Sequence, residues 1–441
     1  MTKYNTIDIE IMDEEYSVST ISENSSEHEE EYISFLNSLT EYEIDELESI
    51  VEDMLREYLE DNFIKLSDSE FINNMVADVT QILFQDLLNA EICNQIHEEE
   101  FSEYIKDYAN IVFEIEDIPS RSDQHFFNDL SNTNFSIINE KIEWIRNQPQ
   151  PEQRTKEWYE YRYNLITASN VWKAFSSESQ KNSLIYEKCQ PLVNGTRFGA
   201  STSGSLHWGV KYEQLSLMLY EEKMGIKKVE EFGCIRHEKY DFIGASPDGI
   251  VTDPDSNLYG RMIEIKNIVN RVIDGIPSTA YWIQMQVQME TCNLDACDFI
   301  ETQIKEFETE EEFWINDSVS KKGIVLMFIP NDPNIVAKPL YKFMPLDLPL
   351  TLDSIKEWIK ETTNLYIQEY TLQETKYWYL DIFSCVTVRR NKRWFDEAVP
   401  ILSELWKTIL NERNSGHDHR APKKRIAKTS VLQNYIINKI E

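Results

Sequence analysis

The chain has 441 residues, and its content of 41% hydrophobic and 12% aromatic residues is enough for a large buried core, which excludes a wholly disordered protein. The formal net charge is −35, but residues 1–150 hold 37 of the 78 Asp and Glu residues and only 7 of the 43 Lys and Arg residues. Because the rest of the chain is close to neutral, the net charge does not exclude nucleic acid as a partner.

The start of the chain predicts an acidic region that carries no chemistry of its own. Residues 1–40 are acidic and Ser-rich, so we expect most of them to be disordered. In residues 41–147 apolar side chains recur at helical spacing, which predicts an acidic helical region. Its charge is explained by solubility, by mimicry of nucleic acid or by a partner-binding role. The predicted helices cover about 41–59, 71–92 and 101–116.

A Pro-containing linker, Asn-Gln-Pro-Gln-Pro-Glu at 147–152, separates this region from a core predicted at 148–345. The core alternates helices with β-branched segments, which indicates an α/β (α+β) fold with a mixed central sheet flanked by helices. A helical C-terminal extension at 346–416 and a basic tail at 417–441 are expected to follow. Predicted core helices lie near 155–163, 169–176, 207–224 and 279–292, and strands near 229–238, 241–251, 258–269, 296–306 and 323–330.

Two neighbouring predicted strands carry charges that stand out from their apolar surroundings. Side chains of a strand alternate between its faces, so Glu264 and Lys266 share one face, and Asp248 on the adjacent strand can join them. Two carboxylates and one ammonium at one point of a sheet suit Mg²⁺-dependent cleavage of a phosphodiester. A surface hairpin with an ordinary ion pair is the alternative for such a pattern in isolation.

Two further residues are candidates for the same site. Glu213, on the helix that enters the sheet, would complete an oxygen cage for Mg²⁺ together with the two strand carboxylates. Gln284, on the helix after the charged strand, would contact substrate or order a water molecule. The alternatives are a solvated helix residue for Glu213 and a buried, hydrogen-bonded amide for Gln284.

A candidate phosphate site precedes these residues in the chain. Arg162 offers a planar set of donors suited to phosphate oxygens, and Ser169 follows Thr-Ala at a predicted helix start, where backbone N–H groups and a hydroxyl can hold an anion. The alternative roles are a surface arginine for Arg162 and a helix N-cap for Ser169.

Taken together and in this order, the motifs resemble the YqaJ-like viral recombinase family, relatives of phage lambda exonuclease in the PD-(D/E)XK nuclease superfamily. The resemblance covers about residues 153–305, while the acidic N-terminal region resembles nothing in the phage enzymes. The turn between Ile250 and Arg261 is also longer than those enzymes suggest. The matching pieces are Trp158-x3-Arg162-x4-Thr167-Ala-Ser169, Trp208-Gly-x3-Glu213, Ser246-Pro-Asp248-Gly with Glu264-Ile-Lys266, and Tyr281-x2-Gln284-x-Gln286.

The resemblance implies a role for each matching residue. Asp248 and Glu264 would bind Mg²⁺, for which Mn²⁺ is an expected substitute, with a contribution from Glu213. Lys266 would serve catalysis, and Gln284 would support the site. A pocket formed by Arg162 and Ser169 would hold a 5′-terminal phosphate.

The implied activity is a 5′→3′ exonuclease on double-stranded DNA ends, acting in viral recombination or repair. Two alternatives stay open: a structure-specific endonuclease or junction resolvase on the same core, and a non-catalytic DNA-binding subunit. A single-strand annealing or recombination protein and a second copy of this chain are the candidate protein partners.

No apolar run approaches the roughly 20 residues needed to span a bilayer, so no membrane association is expected. We expect a soluble, intracellular protein, in a host cytoplasmic viral factory or in the nucleus. The basic cluster at 423–425 is interpreted either as a nuclear signal or as a solvated tail that contacts phosphates.

Overall fold

The computed structural model describes residues 34–124, 132–192, 205–332 and 339–422. The expectation of disorder at 1–40 therefore falls almost entirely outside the described residues, as does the cluster at 423–425. The helices are α1 (Glu41–Asn62), α2 (Phe71–Asn89), α3 (Glu98–Ile115), α4 (Asn132–Arg146), α5 (Lys156–Tyr163), α6 (Ala168–Val171), α7 (Glu178–Cys189), α8 (Ser205–Met224), α9 (Thr279–Cys292), α10 (Glu310–Ile315), α11 (Leu352–Tyr366) and α12 (Lys392–Ser415).

Ten strands form two sheets within these ranges. The larger sheet has seven strands in the order β2-β5-β6-β7-β10-β8-β9, and the smaller has the order β1-β4-β3. The strands are β1 (Ile166–Thr167), β2 (Val229–Glu230), β3 (Ile235–Arg236), β4 (Ile243–Ala245), β5 (Gly249–Val251), β6 (Met262–Asn267), β7 (Ala296–Glu306), β8 (Lys322–Pro330), β9 (Leu340–Phe343) and β10 (Tyr370–Arg389).

The larger sheet is mixed, which confirms the expected α/β fold. β6 pairs antiparallel with β5 and parallel with β7, and α9 provides the crossover between the two parallel strands. α8 packs against β6 and β7. The strand that was predicted to carry Glu264 and Lys266 therefore lies inside the sheet, next to the helix that carries Gln284.

The prediction of an all-helical C-terminal extension at 346–416 is wrong for the segment between α11 and α12, which forms a strand. Residues 370–389 form β10, a 20-residue strand that pairs antiparallel with both β7 and β8. The sheet therefore continues past 345, and no boundary between core and extension exists there. Register shifts between Leu372 and Glu374 and between Leu380 and Ile382 interrupt the alternation of side chains, which obscures the strand pattern in the sequence.

Three helices of the acidic region, α1 to α3, form where the helical spacing predicts them. α1 begins with a capping box, in which Thr40 and Glu43 bind each other's backbone N–H groups. The buried faces of these helices join one hydrophobic cluster with α9 and α12, through residues such as Phe63, Trp282 and Trp394. The acidic helices therefore share a core with the rest of the protein.

α4 packs on the long turn between β5 and β6. The ring of Phe135 stacks on Tyr259 with 4.4 Å between centroids, and the Tyr259 hydroxyl donates to Asn139 at 2.8 Å. Gly260 has φ +82°, and a Cβ added there would collide with Ile138 of α4. The long turn noted in the sequence is thus held by a helix from the acidic region.

Among the residues described, no helix is long and apolar enough to cross a membrane.

Candidate active site

The β5–β6 hairpin brings Asp248 to the predicted position. Asp248 lies immediately before β5, and its Oδ2 accepts a hydrogen bond from the backbone N–H of Ile265 at 2.7 Å. That bond joins the loop before β5 to the middle of β6. Since Ile265 stands between Glu264 and Lys266, the three predicted residues meet at one point of the sheet.

Glu264 is held by side chains from its own strand and from α9. Its side chain is 1% exposed and forms an ion pair with Lys266. Gln284 Nε2 donates to its Oε1 and Gln288 Nε2 donates to its Oε2, each at 2.7 Å. These charge-assisted bonds fix the plane of the carboxylate and offset the cost of burying it.

The charges of the site shift the pKa values of its members. Burial and the charge of Glu264 raise the pKa of Asp248 well above its usual range, with Lys266 opposing and Glu213 adding to the rise. Burial lowers the pKa of Lys266, but the carboxylates of Glu264 and Asp248 outweigh it and leave that pKa above its ordinary value. Lys266 therefore carries its proton at neutral pH, and two close carboxylates share one cation.

Contacts on the side of α9 that faces away from the site fix the orientation of this helix about its own axis. Gln286 is fully buried; its Nε2 donates to Arg389 O at 2.9 Å, and its Oε1 accepts from Asn391 N at 2.7 Å. One turn later, Glu290 forms a two-bond ion pair with Arg390. Residues two apart on a helix face opposite sides, so these bonds direct Gln284 and Gln288 towards Glu264.

α8 brings Glu213 near the site from the other face of β6. Asn267, directly after Lys266, accepts from Ser216 Oγ at 2.7 Å and donates to Gly209 O at 2.9 Å. Both partners lie within one turn of Glu213 on α8. Glu213 is exposed to solvent, and its negative charge contributes to the raised pKa of Asp248.

Residues 157–295 match the family model described as the YqaJ-like viral recombinase domain. Over this segment, about a third of the chain, the sequence is similar to that domain. All the predicted site residues lie inside it, and the acidic helices α1 to α4 lie outside it.

The chain is also similar to individual proteins. It is 30% identical over 310 residues to "Uncharacterized protein R354" of Acanthamoeba polyphaga mimivirus, which corresponds to 62% of this chain and 55% of that protein. The chain thus spans about half the length of this curated relative.

Two solved structures are similar to it as well. An alkaline exonuclease (LHK-Exo) from Laribacter hongkongensis matches with 20% identity and a TM-score of 0.35, over 59% of this chain and 95% of that one. A phage-related exonuclease from Haemophilus somnus 129PT matches with 14% identity and a TM-score of 0.30, over 56% and 93%.

Within residues 157–295, the phosphate candidates lie on consecutive elements. Arg162, in the last turn of α5, lies over the Trp158 ring at 4.6 Å and donates to Thr167 Oγ1 at 3.4 Å. Ser169 is exposed in α6, a short helix that packs against α9. The N-cap of α6 is Thr167, so the alternative role of Ser169 as an N-cap is wrong.

Sequence reasoning assigned no role to two residues that line the site, Gln288 and Tyr281. Gln288 follows Gln284 at the i,i+4 spacing that places both amides on one helix face, so its position was available from the sequence. Tyr281 belongs to a quoted motif, but its contact was not foreseen: its ring lies 5.0 Å from Lys266 Nζ and 5.6 Å from the Arg271 guanidinium. The ring thus contributes to holding Lys266.

The donor set suits a hard divalent cation. Carboxylate oxygens are the ligands that Mg²⁺ prefers, and a cation would relieve the repulsion between Asp248 and Glu264 that the raised pKa of Asp248 reflects. In the described part of the chain, however, no three His, Cys, Asp or Glu side chains are arranged as a ready metal-binding group. Two carboxylates with water and substrate oxygens remain sufficient for Mg²⁺, with Glu213 nearby.

Proposed function

We propose that this protein is a Mg²⁺-dependent deoxyribonuclease that hydrolyses phosphodiester bonds, acting as a 5′→3′ exonuclease on double-stranded DNA ends. The observation that carries this proposal is the meeting of Asp248, Glu264 and Lys266 at one point of the β5–β6 hairpin. The YqaJ-like domain that contains all three supports it.

Asp248, Glu264 and Glu213 would hold the ion, which when bound supplies Lewis acidity at the phosphate and a more acidic water. Gln284 and Gln288 keep the Glu264 carboxylate in one orientation, so little reorganisation is needed when substrate arrives. Lys266 retains its proton and would stabilise negative charge on the phosphate oxygens.

The preference for ends would come from Arg162 and Ser169. The Arg162 guanidinium is oriented by Trp158 and Thr167 and presents donors to a terminal phosphate, and the exposed Ser169 hydroxyl would add another donor. Contacts to backbone phosphates carry no sequence information, so digestion would be largely independent of sequence. Such an enzyme would prepare single strands for viral recombination or repair, together with an annealing or recombination protein.

A digestion assay tests the proposal. The wild-type protein should degrade linear duplex DNA with Mg²⁺ and not with excess chelator, whereas Asp248→Ala and Lys266→Ala should abolish digestion with the circular dichroism spectrum unchanged. Lys156→Ala is the matched control, because Lys156 is exposed and forms only a surface ion pair with Glu160. Undiminished digestion by either site variant would contradict the site assignment.

The same assay distinguishes the alternatives. An exonuclease needs an end, so covalently closed circular DNA should survive while linear DNA of the same sequence disappears. Cleavage of the closed circle would instead indicate an endonuclease or resolvase. Binding of DNA without digestion by the wild-type protein would indicate a non-catalytic DNA-binding subunit.

A further inference from the structure

The loop between β6 and α9, residues 268–278, links two parts of the candidate site. It begins two residues after Lys266 and ends six residues before Gln284. Its start is tied to the sheet by the Ile268 N–H, which donates to Thr302 O at 2.7 Å. The position of its far end determines where α9 begins, and therefore where Gln284 and Gln288 stand relative to Glu264.

Three residues from the acidic region, Arg121–Asp123, connect this far end to β10; we call them the strap. Arg121 Nε donates to Pro277 O at 2.8 Å, and Ser122 Oγ donates to Gly275 O at 3.1 Å. On its other side the strap pairs with β10: Asp123 N donates to Thr387 O at 2.7 Å, and Thr387 N donates to Asp123 O at 2.8 Å. The strap therefore connects the loop to a central strand of the sheet.

Arg121 also connects the loop to the helices at the start of the chain. Its Nη1 donates to Ser67 O at 3.0 Å, in the short helical segment after α1, and its guanidinium lies 5.8 Å from the Trp282 ring in the first turn of α9. Burial lowers the pKa of Arg121 to about 10, which still leaves it charged at neutral pH. A partly buried cation that donates to carbonyls of separate segments holds those segments together.

Tryptophan packing reinforces the same junction. Trp282 packs edge-on against Trp394 of α12 with 5.1 Å between ring centroids, and Trp394 Nε1 donates to Ile64 O at 3.0 Å. The first turn of α9 is thus enclosed by α12 and by the segment that Arg121 also binds. Asp248 instead binds the backbone of Ile265, and Glu264 binds Lys266, Gln284 and Gln288.

We propose that the strap positions the candidate active site: by fixing loop 268–278 and the first turn of α9, Arg121 keeps the amide of Gln284 in register with Glu264. The acidic region is then a working part of the nuclease, in addition to any effect of its charge. This inference rests on the proposed function for its catalytic consequence, whereas its structural part stands alone.

Hydrogen–deuterium exchange on the full chain, without DNA, tests the structural part. In Arg121→Ala, amide exchange in residues 268–284 should become faster, while α11, which lies far from the strap in sequence and contacts β10 on the sheet, should be unchanged. Arg56→Ala is the matched control, since Arg56 pairs with Glu52 and Glu116 within the acidic helices and does not bind the loop. Ser122→Ala, which removes one hydrogen bond and little volume, should show a smaller change confined to the loop.

Kinetics on linear duplex DNA test the catalytic part. Arg121→Ala should lower kcat about tenfold with KM changed little, as expected when a supporting contact of a ligand residue is lost. Arg121→Lys, which retains the charge and a donor, should recover part of the loss, and Arg56→Ala should match the wild type.

Unchanged amide exchange in residues 268–284 for both strap variants would overturn the proposal, and so would faster exchange with unchanged kcat. An inactive wild-type protein would instead contradict the proposed nuclease function. In that case the exchange comparison alone decides whether the strap holds the loop.

Discussion

Gln288 Nε2 lies 2.7 Å from Glu264 Oε2 and 3.1 Å from the backbone oxygen of Ser246, so one buried amide joins α9 to both sides of the candidate site. Ser246 stands two residues before Asp248. The bond therefore couples the orientation of the Glu264 carboxylate to the loop that supplies the second carboxylate.

The first prediction concerns this amide. Gln288→Leu should lower nuclease activity and should reduce the free energy of unfolding by about 1–3 kcal/mol, because a buried carboxylate oxygen and a carbonyl lose their donor. Urea unfolding and the digestion assay measure the two effects. Gln81→Leu, at an exposed position of α2, makes the same substitution without loss of a buried bond and should resemble the wild type.

The second prediction concerns end recognition. Arg162→Ala should reduce the preference for 5′-phosphorylated over 5′-hydroxyl duplex ends, because the phosphate would lose a charge-assisted donor pair. The ratio of initial rates on the two substrates is the measurement. Lys156→Ala removes a cation from the same helix and should leave the ratio unchanged. An unaltered ratio in Arg162→Ala would assign end recognition to other residues.

The sequence predicted the charged hairpin because strand alternation is local: Glu264 and Lys266 needed only a period of two to share a face. It did not predict β10, where two register shifts break the alternation of side chains over a stretch rich in Tyr. Nor did it predict that Arg121 would bind Pro277, 156 residues away, since such contacts depend on the assembled fold.

The role of Gln286 was likewise beyond local inference. The motif that contains Gln286 suggested an amide near the substrate. In the structure, Gln286 lies on the side of α9 that faces away from Glu264 and binds Arg389 O and Asn391 N at the end of β10. Because β10 was predicted to be helical, its partners could not be placed. The grouping of Asp248, Glu264 and Lys266 could thus be predicted, whereas the contacts of Gln286 with the end of β10 could not.

The third prediction tests how α4 supports the long hairpin turn. Gly260→Ala should destabilise the protein by about 1–3 kcal/mol more than Gly225→Ala, because both glycines have positive φ but only at Gly260 would the new methyl group collide with Ile138. Thermal unfolding measures the difference. Adding Ile138→Ala should reduce the cost of Gly260→Ala and leave that of Gly225→Ala unchanged, whereas equal effects on both would contradict a contact between α4 and the turn.

The fourth prediction concerns the ion itself and needs no DNA. Two close carboxylates that share one cation repel each other, and burial already raises the pKa of Asp248. A carboxyl group whose pKa is higher in the folded state makes the fold less stable as the pH rises from its unfolded-state pKa through its folded-state pKa, so the ionised Asp248 carboxylate destabilises the fold. In chelator, Asp248→Asn should therefore have a higher Tm than the wild type.

Mg²⁺ should reverse that order. The ion binds the folded site and not the unfolded chain, so it should raise the Tm of the wild type with increasing concentration. Asp248→Asn lacks one of the two buried carboxylates and should respond weakly. Asp255→Asn removes an exposed carboxylate from the long turn and should behave like the wild type under both conditions. An equal response of wild type and Asp248→Asn to Mg²⁺ would place the ion elsewhere, because the observed stabilisation could then not depend on the Asp248 carboxylate.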